Sequence, residues 1–177
     1  MKKRAYLIFL VTAWLFCYPG LAGAPAYGYN PNPGPPDIRG VYQGQGTYIT
    51  SSTIAPLDAT VTLTIDQQSG YMFTGRLGII GSGEIGGGQQ FTISGYFTYA
   101  NLTKKGDIQI SGSLFTFPFG VRVVQKLEAR GQIRGGGGTL KIGGNYLVSS
   151  FDFNAEIPPV DVIQFSGDFS VVRQLAQ

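Results

Sequence analysis

The chain has 177 residues with 13 basic and 10 acidic side chains, one Cys, no His and 27 Gly. Lys2, Lys3 and Arg4 account for three of the basic residues and Cys17 lies just after them, so from Pro25 onward the charges balance and no thiol or imidazole is left. This excludes a nucleic-acid binder driven by net charge, a disulfide-stapled domain, Cys or His metal sites, and catalysis through a thiolate or imidazole.

Residues 1–24 read as a secretory signal peptide. A basic start is followed by an apolar run from Ala5 to Cys17 and by small residues around Gly20 to Ala26, which places cleavage near 22–26. The apolar run is too short for a membrane-spanning helix, and Trp14, Leu15 and Phe16 before Cys17 do not make a lipidation site. An exported protein, periplasmic or extracellular, is expected. Residues 25–39 are rich in Pro, Gly, Asn and Tyr without apolar periodicity and read as an extended spacer.

From residue 40 to 175 the pattern has period two. Val61, Leu63 and Ile65 alternate with Thr60, Thr62 and Thr64, the mark of a strand buried on one face. Glycines keep the same phase and fall on the apolar side, as in Phe91, Ile93, Gly95, Phe97 and again in Ile108, Ile110, Gly112, Leu114. An inward glycine lets a strand bend and relieves crowding where a sheet curls on itself. Strands are expected near 40–49, 58–67, 70–80, 89–99, 106–116, 121–134, 138–148, 150–157 and 161–173, the runs on either side of Ser149-Ser150 being one bulged strand or two. The fold class is all-β: a single antiparallel meander closed into a soluble barrel of about eight strands with inward-facing glycines. A barrel spanning an outer membrane would face lipid with its apolar side, whereas here the outward phase carries Arg130, Gln132, Arg134, Ser166 and Asp168.

Chemical motifs are few. Gly81, Gly83 and Gly86 spell GxGxxG, but a strand is expected next instead of the helix that would hold a pyrophosphate. Asn101-Leu102-Thr103 fits a glycosylation sequon. The carboxylate pairs Asp152 with Glu156 and Asp58 with Asp66 share strand faces without marked surroundings, so no enzyme, metal or cofactor is expected.

Two surfaces stand out for binding. The inner aromatics Tyr42, Tyr48, Phe73, Phe91, Phe97, Tyr99, Tyr146 and Phe165 line the barrel, and Phe115, Phe117 and Phe119 lie in an apolar connection that forms either a lid, an exposed tip or a plug. The basic residues Arg122, Lys126, Arg130, Arg134 and Lys141 fall on the outer face of two adjacent strands, where they read as a docking row or a solvated face.

Gly40-Val41-Tyr42 on the first strand and Arg173 on the last resemble the lipocalin signature of the calycin group, Gly-x-Trp with a basic residue of the final strand over the Trp; here Tyr stands for Trp. The resemblance implies an up-and-down barrel whose interior holds a small apolar or amphipathic ligand. The first functional expectation is therefore a secreted, non-enzymatic binding barrel for such a ligand. The alternative is an envelope interaction protein with a filled core, which meets protein or polysaccharide through its exterior or its N-terminal arm. Neither nucleic-acid binding nor membrane spanning is expected.

Overall fold

A computed structural model describes residues 34–50, 55–82, 88–116, 123–152 and 162–175. They form eight strands: β1 Gly40–Thr50, β2 Leu57–Ser69, β3 Met72–Gly81, β4 Gln89–Phe97, β5 Lys105–Thr116, β6 Val123–Arg134, β7 Lys141–Asp152 and β8 Val162–Arg173. Each pairs antiparallel with the next, and β8 returns to β1, so the meander closes into a barrel. Among the described residues the one helical turn is a 3-10 turn at Gly137–Thr139, and no helix is long and apolar enough to cross a membrane.

The faces follow the alternation. Val61, Leu63 and Ile65 are buried, as are Phe91, Ile93 and Phe97, while Thr60, Thr92 and Ser94 face out. The inward side chains form one continuous cluster running from Ile38 through Tyr42, Leu77 and Leu127 to Val171, each 0–4% exposed. Gly70, with φ of +59°, occupies the first position of the two-residue loop joining Ser69 to Met72, where such a hairpin favours glycine.

Two extra residues perturb the register. In β2, Ile65 pairs with Gly75 and Gln67 with Thr74, so Asp66 is the extra residue and the phase of the strand end is reversed. In β8, Phe165 pairs with Val148 and Ile163 with Ser149, which makes Gln164 the extra residue. The expected runs 138–148 and 150–157 thus meet in a single strand, β7, and the bulge lies on its neighbour instead of at Ser149-Ser150. The expected strand start at 138 is replaced by the 3-10 turn, after which Leu140 inserts into the core.

The glycines have a more local role than relief between opposite walls. A Cβ at Gly75 would stand 1.9 Å from the Thr64 carbonyl oxygen, and one at Gly167 would stand 1.7 Å from that of Thr47. The crowding partner is the backbone of the next strand. Neighbouring aromatics occupy the space as well: a Cβ at Gly95 would stand 2.5 Å from Phe73 Cζ and one at Gly167 3.0 Å from the Tyr146 hydroxyl, each on the cross-strand partner. An aromatic ring over a cross-strand glycine fills the gap that the missing side chain leaves.

Candidate functional site

The inner aromatics are brought together. Tyr42, Tyr48, Phe73, Phe91, Phe97, Tyr146 and Phe165 belong to the buried cluster, with Tyr99 half-buried against it. Phe73 and Tyr71 both lean on Phe97, and Tyr146 meets Phe165 edge-on with centroids 6.0 Å apart. Phe115 is elsewhere: it lies on the opposite face of β5 from Leu114 and is 69% exposed. Phe117 and Phe119 lie outside the described residues.

Every tyrosine of this inner group donates its hydroxyl to a backbone carbonyl. Tyr42 bonds Ile38 at 2.7 Å, Tyr48 bonds Ser82 at 2.7 Å, Tyr146 bonds Thr47 at 2.9 Å, and Tyr99 bonds Gly135. Burial pushes the Tyr42 phenol up to about 12, against the pull of nearby Arg173. It raises Tyr146 as well, assisted by the charge of Asp168. These hydroxyls act as structural pins.

One end of the barrel is stoppered by the segment that enters β1. Ile38 is fully buried. Its N–H donates to Gln68 Oε1 at 2.8 Å, and Gln68 Nε2 donates to Pro36 O at 2.9 Å and Gly70 O at 3.0 Å. Gln68 pairs with inward Phe73 because the Asp66 bulge reverses the phase of β2. Arg173, cross-strand from Tyr42, donates to Asp37 O at 3.3 Å and to Arg39 O, with its guanidinium against Gly40. Gly40 has φ of +136°, a region that side chains disfavour, and a Cβ there would meet Arg173 Nε at 3.2 Å. Hydrogen bonds from Arg39 hold the Asp37 carboxyl down at about 2. The residues of the Gly-x-Tyr and Arg pattern therefore meet at this stopper.

At the opposite end of the barrel, β4 opens at Gln89. Its Oε1 is buried without a hydrogen-bond partner among the described residues.

On the outer wall, Lys126 pairs with Glu128 at 2.7 Å, which lowers the Glu128 carboxyl. Arg130, Arg134 and Lys141 are exposed and enter none of the ion pairs formed among the described residues. Arg122 lies outside them. Register adds what strand-by-strand reading missed: Arg134 is directly cross-strand from Lys141 on one side and from Lys105 on the other. Beside them runs a groove of about 510 Å³ with Gln132, Arg134, Lys141, Gly143, Asn145 and Ser170 in its lining. A smaller hollow of about 200 Å³ near the β2–β3 hairpin, with Gln67, Met72 and Ser94 in its lining, has no charged lining residue.

Asp66 pairs with Arg76 at 3.2 Å, and eight residues of strand, about 26 Å, separate it from Asp58, too far for a carboxylate pair to share a substrate bond. Asp152 ends β7, and Glu156 lies outside the described residues. Gly81 ends β3 and Gln89 opens β4, so a strand follows the GxGxxG glycines. Comparison of the chain with protein-family models, with curated proteins and with solved structures finds no match.

Proposed function

We propose that the chain is an exported, non-enzymatic binding protein in which the barrel is a packed scaffold and the outer wall meets the partner, an envelope protein or polysaccharide. The observation that carries this reading is the interior itself: side chains exposed by 0–4%, glycine gaps occupied by Phe73 at Gly95 and Tyr146 at Gly167, and tyrosine hydroxyls already bound to carbonyls. A ligand pocket needs apolar wall with space beside it and convergent polar groups to orient its occupant. The polar, charged outward phase supports a barrel that lies in water and does not span a membrane. The stopper formed by Gly40, Tyr42 and Arg173 supports a distant relationship to the calycin group at the level of architecture, from which function does not follow.

A second reading, an apolar ligand held at the rim opposite the stopper, is favoured by the buried, unpartnered Gln89 Oε1. Titration with an uncharged, environment-sensitive naphthalene probe separates the two. The packed scaffold gives no saturable one-to-one signal. A saturable signal displaced by a fatty acid and weakened in Gln89→Leu supports the rim site and overturns the first reading.

A further inference from the structure

Three cations stand abreast on the outer wall, Lys105 of β5, Arg134 of β6 and Lys141 of β7, in directly opposed cross-strand positions. Like charges so placed destabilise a sheet. No acidic side chain among the described residues forms an ion pair with any of the three. The groove beside them has a floor made by Gly143, which projects no side chain outward, and by Ser170, its cross-strand partner. Its walls are the amides of Gln132 and Asn145. Arg134 bends along the wall so that its Nε donates to Gln132 Oε1 at 3.1 Å, and Asn145 donates to Asp168 Oδ1 at 2.7 Å at the far side. The groove therefore has a cationic end, a neutral hydrogen-bonding middle and an acidic edge.

We propose that this groove binds an acidic polysaccharide of the polyuronate kind, with a carboxylate at Arg134 and Lys141 and sugar hydroxyls along Gln132, Gly143 and Asn145. The inference rests on the outer-wall reading above and names its ligand class and site. Arg and Lys together match a carboxylate through charge-assisted hydrogen bonds. Amide side chains and exposed backbone match hydroxyls, which both donate and accept. The groove's size falls within the range of about 300–1,000 Å³ usual for small-ligand sites. Asp168 at the edge disfavours a uniformly sulfated chain, whose charges are denser, and favours a sugar whose carboxylates are separated by neutral hydroxyls.

The test is affinity electrophoresis of the full mature chain through gels containing polygalacturonate, with neutral dextran as control. Retardation is expected in polygalacturonate and absent in dextran. Arg134→Gln with Lys141→Gln should weaken it by about tenfold or more, whereas Arg76→Gln, on β3 away from the groove, should leave it within about twofold. Ser170→Glu, which places an anion on the groove floor, should abolish retardation and serves where the double variant fails to fold. No retardation of the unmodified chain overturns the proposal, and so does an equal loss in Arg76→Gln, which marks unspecific charge attraction. Such a failure with a silent apolar probe removes the groove assignment alone, while a saturable probe signal removes the outer-wall reading itself.

Discussion

Phe73 covers Gly95: the two are cross-strand partners on β3 and β4, and a Cβ at Gly95 would lie 2.5 Å from Phe73 Cζ and 2.3 Å from the Gln109 carbonyl oxygen. The ring and the next strand's backbone together occupy the glycine's side-chain space. A methyl group there has to displace both.

Gly95→Val is accordingly expected to destabilise the barrel by roughly 1–3 kcal/mol or more through overpacking. Gly112→Val should behave alike, because its Cβ would stand 2.8 Å from Ile93 Cγ2. Ser94→Val and Ser111→Val, on the exposed phase, should cost far less. Urea denaturation of the four variants checks this, and equal losses on both phases would contradict the assignment of faces.

The stopper gives a second expectation. Gln68→Ala removes three hydrogen bonds to Ile38, Pro36 and Gly70, a loss of about 1–3 kcal/mol. Ile38→Ala leaves a cavity in the sealed end and is expected to cost about 2–5 kcal/mol. Amide exchange at Ile38 should quicken in Gln68→Ala while the amides of β6 and β7 keep their protection. Unchanged exchange at Ile38 would show that the stopper does not depend on Gln68.

The barrel was legible because closure rewards the alternation that the residues already display. Val61, Leu63 and Ile65, or Phe91, Ile93 and Phe97, declare their face without help from the rest of the chain. The bulges at Asp66 and Gln164 were not legible, since an extra residue is set by the pairing of two strands. With Asp66 hidden, the inward turn of Gln68 was hidden too. Ile38, one apolar residue between Asp37 and Arg39, belongs to no period and reads as linker. The basic row was visible along β6 as Arg130 and Arg134, but its alignment with Lys105 and Lys141 depends on register across three strands. Gly143 and Ser170 carry no signal until that register puts them side by side.

Alkaline pH is the next lever. In the unfolded chain a phenol titrates near 10, while the folded protein holds the Tyr42 proton up to about 12. Below pH 10 both states are protonated and the stabilisation is complete. As pH rises beyond 10 the unfolded chain ionises first and stability falls until the folded phenol also titrates near 12, a loss of roughly 2–3 kcal/mol for Tyr42 at about 1.4 kcal/mol per pKa unit. Tyr146, raised in the same direction, adds to the fall. Tyr42→Phe should show a shallower decline in thermal midpoint between pH 10 and 12, and an identical decline would place the titrating group elsewhere.

The packed interior is the central claim, and native mass spectrometry of the protein purified from its own host tests it most directly. The expected result is the mass of the mature chain alone, with the inner aromatics from Tyr42 to Phe165 filling the barrel as they do here. A small apolar molecule bound at one per chain, retained through gentle desolvation and released on unfolding, would contradict it.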